Sequence, residues 1–293
     1  MRKVLRAAFL FYLFVVLGWT STALATSVVV KVEKDRIILA ADTRRKGMSS
    51  DASNSHDFHD DTCKIAPLGR VGFAIAGYYN HNEKSPTDRA EWSWSAYEDA
   101  RTSYRLHPNN ITEMAGDWGA REIEIFKTLY SLHSSLVQKL AHADNSTPLV
   151  IGHFAGWDNE GRPILILEMI VLNKGPFALL NQPFVLNPIV AIPVVFHERD
   201  LPYSTNNYTE DLIEHDPAKA SATAKEWSVR SKVFPEPQRD WRWLEFLIQS
   251  TAPHDEEVGK DVDVLEIKAS GSKWLHNSAC ATHLNLQKPV PLH

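Results

Sequence analysis

Cysteine is scarce in this chain: only Cys63 and Cys280 occur among 293 residues. Two cysteines are too few for the multiply bridged framework of a disulfide-stapled domain. In an oxidising compartment they could pair, and free thiols fit the sequence equally well. Neither C-x-x-C nor H-E-x-x-H is present, which removes the common dithiol and zinc-protease motifs. No cofactor and no metal are therefore expected. Basic clusters are also missing. Lys and Arg number 31 against 36 Asp and Glu, a formal net charge of −5. An acidic chain without a basic patch is a poor nucleic-acid binder. Beyond the apolar run at the N-terminus, no long apolar stretch occurs that could span a bilayer. No internal repeat stands out.

The N-terminus has a tripartite pattern. Arg2, Lys3 and Arg6 precede an apolar run from Ala7 to Trp19, broken only by Gly18, and a small, polar stretch follows, ending Ala23-Leu24-Ala25. Basic, apolar, then small residues at −3 and −1 describe a cleavable export signal. The run falls short of the roughly 20 residues a spanning helix needs, which argues against a retained anchor. Cleavage after Ala25 makes Thr26 the first residue of a periplasmic or secreted chain without a membrane span. Residues 1–25 are thus read as leader, 26–276 as one domain, and 277–293 as an irregular tail. An apolar fraction of 44% supports a sizeable core.

Val28 to Val32 and Arg36 to Asp42 are apolar and β-branched, with Glu33-Lys34-Asp35 between them. This predicts a hairpin covered on both faces. Gly47 to Asp61 is polar and aperiodic, a loop. Cys63 to Leu68 and Val71 to Ala76 predict a second hairpin turning at Gly69-Arg70. Two helices follow. The first is capped by Ser85 or Thr87, with Trp92, Ala96, Tyr97 and Ala100 on one face. The second starts near Asn110 or Thr112 and continues to Leu140. Leu149 to Trp157 and Pro163 to Leu172 predict a hairpin. Phe177 to Val195 is apolar but interrupted by Pro183, Pro188 and Pro193. His197 to Glu236 is polar and suggests no element. A helix over Trp241 to Ser250 and a hairpin of Val262 to Ile267 with Lys273 to His276 complete the pattern. Strands, helices, strands, helix, strands in that order predict an α+β fold or a layered αββα domain.

An N-terminal threonine has unusual chemistry. Its hydroxyl is a weak nucleophile, but the free α-amine, with an ordinary pKa of about 7.7–8.0, can accept the hydroxyl proton. A nearby lysine lowers the amine pKa, and a carboxylate can hold that lysine. Thr26, Asp42 and Lys64 offer these parts on strands predicted to be neighbours.

The residues also resemble a known family. Thr26-Ser27-Val28-Val29-Val30, followed by Arg36-Ile37-Ile38-Leu39-Ala40-Ala41-Asp42-Thr43-Arg44, resembles the opening of proteasome β-type subunits, which are N-terminal-nucleophile hydrolases. Cys63-Lys64-Ile65-Ala66-Pro67-Leu68 is similar to the family's lysine-bearing D-K-I-x-P-I segment. Val71 to Gly77 is similar to the strand whose terminal glycine N–H stabilises the oxyanion. Val150 to Gly161 and Asp255 to Val264 are looser matches, and residues 177–236 depart from the pattern. The resemblance implies a four-layer αββα sandwich, hydrolysis of peptide or other amide bonds, and assembly into a homo-oligomeric ring. It assigns Thr26 as nucleophile, Lys64 and Asp42 as its charged partners, Gly77 as oxyanion donor and Asp255 as the carboxylate near the amine. Val258 stands where the family has a serine, and the family's G-S-G-S segment is not visible. A catalytically inactive exported protein that binds or scaffolds is the alternative.

His56, Asp57, His59, Asp60 and Asp61 share the loop before Lys64; a solvated loop is expected there rather than a metal site. Asn110-Ile111-Thr112, Asn145-Ser146-Thr147 and Asn207-Tyr208-Thr209 are glycosylation sequons, relevant only in a eukaryotic secretory pathway.

Overall fold

A computed structural model describes residues 26–46, 58–59, 62–83, 92–132, 134–140, 148–172 and 189–280. Residues 1–25, read above as a leader, and the tail beyond Cys280 lie outside the described residues, as do His56, Asp57, Asp60, Asp61 and Asn145. The chain begins with β1 (Val28–Val32), β2 (Ile37–Asp42), β3 (Arg45–Lys46), β4 (Phe58–His59), β5 (Ile65–Leu68), β6 (Val71–Gly77), β7 (Asn80–Glu83) and β8 (Trp92–Ser95). Helices α1 (Ala96–Leu106), α2 (Ile111–Leu132) and α3 (Ser134–Leu140) follow, then β9 (Val150–Trp157), β10 (Pro163–Leu172), β11 (Ile189–Phe196) and β12 (Tyr203–Ser204). The last part holds α4 (Asn207–Glu210), which runs into a π-helical turn (Asp211–His215), then α5 (Pro217–Arg230), α6 (Glu236–Thr251), β13 (Val262–Lys268) and β14 (Gly271–His276).

The fold is α+β, with two antiparallel five-stranded sheets. Their strand orders are β12-β1-β2-β13-β14 and β11-β10-β9-β6-β5. Three apolar clusters explain the nearly unbroken apolar strands. Val28, Val30, Val32, Leu39 and Ala41 of the first sheet meet Ala74, Ala76, Ile151 and Leu165 of the second. On the other face of the first sheet, Val29, Ile38 and Ala40 pack on Leu244, Leu247 and Ile248 of α6. On the second sheet, Phe73, Ile75 and Phe154 pack on Tyr97 of α1 and on Met114, Trp118 and Phe126 of α2. Alternate side chains of a strand point to opposite faces, so each of these strands serves two clusters and must be apolar on both. Gly72 lies where the sheets approach closely: a Cβ there would sit 2.5 Å from Ile267 Cδ1.

Several expectations need correction. The first helix starts at Ala96 with Ser95 as its N-cap residue, so neither Ser85 nor Thr87 caps it. Trp92 belongs to β8, which pairs with β7, and not to the helix face. Phe58 and His59, expected in a loop, pair with Lys46 and Arg45. The segment that suggested no element holds α4, the π-turn and α5. Helix α5 buries only Thr223, so it carries no apolar stripe to be read. Its start was nevertheless written locally: Asp216 accepts hydrogen bonds from Ala218 N and Lys219 N, and Pro217 is the first helical residue.

Cys63 and Cys280 form a disulfide, which settles their pairing. It ties the residue before Lys64 to the segment after β14. Asp263 on β13 receives the backbone N–H groups of Ser278, Ala279 and Cys280, so that segment is held twice. The bridge closes a separation of 217 residues. Cys280→Ser is expected to cost about 2–5 kcal/mol of stability, read as a lower denaturant midpoint; an unchanged midpoint would mean that Asp263 alone holds the segment.

Two buried groups set opposite pH limbs. His153 lies between strands of the second sheet, and its Nδ1 donates to the Ala74 carbonyl at 3.2 Å. Burial pushes its pKa down to about 4. The fold therefore loses stability as pH falls from about 6.5 towards 4, where the unfolded chain binds the proton and the folded chain does not. Glu168 packs over Gly119 of α2, and burial raises its pKa to about 7. Its contribution is complete below the ordinary carboxyl range and is lost as pH rises through 7. Glu168→Gln is expected to stabilise the protein at pH 8 and leave it unchanged at pH 4, measured by chemical denaturation at both. Equal effects at the two values would rule out titration of Glu168 as the cause.

Candidate active site

Thr26, Asp42 and Lys64 meet at one end of the stacked sheets. Thr26 stands two residues before β1 and lies on the alternation that carries Val28 and Val30 toward the second sheet. Asp42 ends β2, paired beside β1. Lys64 immediately precedes β5 in the facing sheet. The Lys64 Nζ donates to Thr26 Oγ1 at 2.9 Å and to Asp42 Oδ1 and Oδ2 at 3.0 and 3.1 Å. All three are buried, with 3%, 0% and 1% of Thr26, Asp42 and Lys64 exposed. Buried lysine and aspartate side chains need close partners, and here they find them in each other.

Asp42 is surrounded by donors. Besides Lys64, it accepts the backbone N–H of Ser27 at 2.8 Å, of Arg44 at 3.0 Å and of Gly259 at 2.9 Å. Burial pushes its carboxyl above the ordinary range, while the Lys64 ammonium and the Gly259 and Ser27 N–H groups act in the opposite direction. Every polar neighbour donates, so the ionised form is the one that the surroundings satisfy. Chemically, the arrangement places a cation 2.9 Å from a hydroxyl oxygen. Such a cation favours the deprotonated form of that oxygen and stabilises negative charge developing on it.

A second set of bonds runs from the other face of β1. Ser27 points the opposite way from Thr26, and its Oγ lies 3.1 Å from Thr209 Oγ1. Thr209 Oγ1 lies 2.8 Å from Thr251 Oγ1, which donates to the Leu247 carbonyl at 3.0 Å. A hydroxyl has one proton to give. Thr209 Oγ1 also lies 3.4 Å from Asn206 Oδ1, but its shorter contact is with Thr251, so Thr251 accepts from Thr209 and Thr209 accepts from Ser27. Asn206 caps α4 by accepting Thr209 N at 3.1 Å and donates its side-chain N–H to Asp255 Oδ2 at 2.8 Å. Asp255 is thereby tied to the residue that follows Thr26.

The structure thus brings Thr26, Asp42 and Lys64 into direct contact and reaches Asp255 through Asn206, Thr209 and Ser27. Among the described residues, Gly77 alone of the five expected site residues makes no hydrogen bond into this network. It ends β6 two residues past Ile75, whose N–H donates to the Lys64 carbonyl at 3.3 Å. Its φ of +96° favours glycine, and a Cβ would sit 2.7 Å from the Leu149 carbonyl. Sequence reading did not single out Ser27, Asn206, Thr209 and Thr251. Asn207-Tyr208-Thr209 registered only as a sequon, although Thr209 is completely buried. Val258, by contrast, is buried among apolar residues and offers the site no hydroxyl.

Cys63, Asp263 and Cys280 lie close enough to share an ion, as do Glu210, Glu214 and His215. The first set is committed to the disulfide and to backbone N–H groups. In the second, Glu210 binds the Ser204 N–H and Glu214 pairs with Arg199. Neither set includes Thr26 or Lys64. Among the described residues no helix is long and apolar enough to cross a membrane. In comparisons with known proteins, the chain matches no family model and no curated protein.

The Asp42–Lys64 pair can be tested on its own. Asp42→Asn leaves the buried Lys64 without its counter-charge, and breaking a buried pair from one side costs about 3–5 kcal/mol. The expected result is a large drop in the denaturant midpoint at neutral pH. A variant as stable as the parent would show that Lys64 is neutral in the folded chain.

Proposed function

We propose that this chain is an exported threonine-nucleophile hydrolase of peptide or other amide bonds, built as a four-layer αββα sandwich of the N-terminal-nucleophile type. The observation that carries the reading is the Lys64 ammonium bridging Asp42 and the Thr26 hydroxyl in a buried site. Thr26 is the residue that cleavage after Ala23-Leu24-Ala25 makes first. The disulfide supports an oxidising compartment.

In this mechanism cleavage of the leader creates both nucleophile and base. Thr26 Oγ attacks the substrate carbonyl carbon, and its proton passes to the Thr26 amine. Lys64 stabilises the negative charge on Oγ as it develops, while Asp42 keeps Lys64 in place. The Gly77 N–H holds the carbonyl oxygen as it becomes an oxyanion. The C–N bond breaks, the amine returns the proton to the leaving nitrogen, and an acyl ester remains on Thr26. Water then attacks the ester, giving its proton to the amine, and the acid leaves as Oγ is reprotonated. The catalyst stays inactive until export, because the uncut chain has an amide nitrogen in place of the base. Outside the cytoplasm no ATP-driven unfoldase is expected. Suitable substrates are peptides, unfolded chains or small amides, and a homo-oligomeric ring is the assembly the resemblance suggests.

One observation favours the alternative of a non-catalytic binding or scaffold protein: Val258 supplies no hydroxyl. Two measurements separate the readings. Intact mass and N-terminal sequencing of the exported protein are expected to give a chain starting at Thr26. A threonine-directed covalent inhibitor is then expected to add its mass at Thr26, and Thr26→Ala to abolish labelling and turnover while the unfolding transition is nearly unchanged. Correct processing without labelling would leave the scaffold reading. A start elsewhere, or a retained leader, would remove the nucleophile itself.

A further inference from the structure

Glu122 is completely buried on α2, and neither of its carboxyl oxygens receives a hydrogen bond. One turn away on either side stand Trp118 and Phe126, both buried, and the Trp94 ring of β8 lies 5.5 Å from that of Phe126. A carboxylate in such surroundings is costly without a donor or a cation, and an orphaned buried group calls for a cause. The two indole N–H groups nearby are already used. Trp118 Nε1 donates to the Ala96 carbonyl at 3.0 Å, and Trp94 Nε1 donates to Asp99 Oδ2 at 3.1 Å. The polar group that Glu122 does meet is the carboxyl of Asp99 on α1, within hydrogen-bonding reach. Two carboxylates have no hydrogen to offer each other.

No neighbouring charge resolves this. Arg121 on α2 attracts Asp99, but its Nε is committed to Asp117 Oδ2 at 2.8 Å, an oxygen that also accepts Ser103 Oγ. On α1, Glu98 pairs with Arg101. His107, just after α1, faces Asp117, and Glu168 of β10 packs over Gly119, three residues before Glu122. Strand β8, Trp-Ser-Trp-Ser, brings no ionisable group. None of these donates to Glu122.

We propose that Asp99 and Glu122 form a proton-binding site, in which one proton is held between the two carboxyls and Glu122 donates it to Asp99, tying α1 and β8 to α2. The Trp94 N–H favours the charged form of Asp99, so the proton resides on Glu122. Burial, and then the charge of Asp99, hold the Glu122 carboxyl well above its ordinary range. Loss of the proton sets two negative charges side by side among three aromatic rings, and the contact between the helices becomes repulsive. Stability from this site is therefore complete below the ordinary carboxyl range and is lost as pH rises through the folded value of the pair. This layer of the protein is firm in acid and slack in alkali, whatever chemistry takes place at Thr26.

The test compares parent, Glu122→Gln and Asp99→Asn by chemical denaturation across pH, each carrying Glu168→Gln so that Glu168 does not titrate. The side-chain amide in Glu122→Gln can donate to Asp99 at every pH. The unfolding constant of the parent, divided by that of Glu122→Gln, is expected to rise about tenfold per pH unit above the ordinary carboxyl range and to level off beyond the folded value. Asp99→Asn gives Glu122 an N–H donor in place of a like charge and is expected to move the levelling-off to lower pH. A ratio that does not change with pH overturns the proposal. A rise that Asp99→Asn leaves untouched also overturns it, since Glu122 would then titrate alone. The parent supplies a second measurement that needs no variant of either carboxyl. The Trp94 indole nitrogen, assigned by Trp94→Phe and followed by NMR, is expected to shift in one step at the pH where the pair ionises. A Trp94 signal that stays constant through that range overturns the shared proton, even if Glu122→Gln fails to fold.

Discussion

The carboxylate of Asp42 is the point on which the rest of the site depends. It collects the Lys64 ammonium and three backbone N–H groups, from Ser27, Arg44 and Gly259. Those four donors come from the start of β1, the residues after β2, the segment before β5 and the turn leading into β13. One buried charge therefore fixes the relative positions of four chain segments that are far apart in sequence. The Asp42–Lys64 pair is a poor source of net stability, because both ions must be desolvated. Its value lies in holding a cation against one hydroxyl oxygen in a place that solvent hardly enters.

The site has two sides because β1 has two faces. Thr26 faces the second sheet, where Lys64 lies, while Ser27 faces the helical layer. The hydroxyls of Ser27, Thr209 and Thr251 form a directed chain ending at the Leu247 carbonyl, which anchors the residue before β1 to α4 and α6. Polar order on one face supports the geometry on the other. The disulfide performs a similar service from outside, since Cys63 is adjacent to Lys64 and Cys280 is held against Asp263.

The parts of this arrangement that sequence made legible are those with local patterns. β1, β2, β5, β6, β9, β10 and β13 were readable because β-branched and apolar residues run between turn residues, and β14 because it follows β13 across Ala269-Ser270-Gly271. Thr26, Asp42 and Lys64 could be named as a set from chemical type and resemblance. Helix α5 was not readable, because only Thr223 is buried and no periodicity marks it. The β7–β8 pairing was missed because Trp92 lies four residues before Ala96, a spacing that fits one face of a helix. Asn206, Thr209 and Thr251 are ordinary polar residues whose roles come from contacts between segments up to 182 positions apart, as for Ser27 and Thr209. No local rule reports such contacts, and only the folded arrangement shows them.

The pleat of β1 sets a frame, much as a reading frame does for codons. Cleavage one bond later would still leave an N-terminal residue with a hydroxyl, Ser27. That hydroxyl, however, faces the helical layer and already interacts with Thr209, on the side of the sheet away from Lys64. If Thr26 is the nucleophile that leader cleavage exposes, as proposed, the two adjacent hydroxyl residues are not interchangeable and the cut would tolerate no shift of a single peptide bond. Accuracy of the export machinery would then decide activity as well as destination: a protein delivered correctly but trimmed out of frame would be folded, soluble and inert.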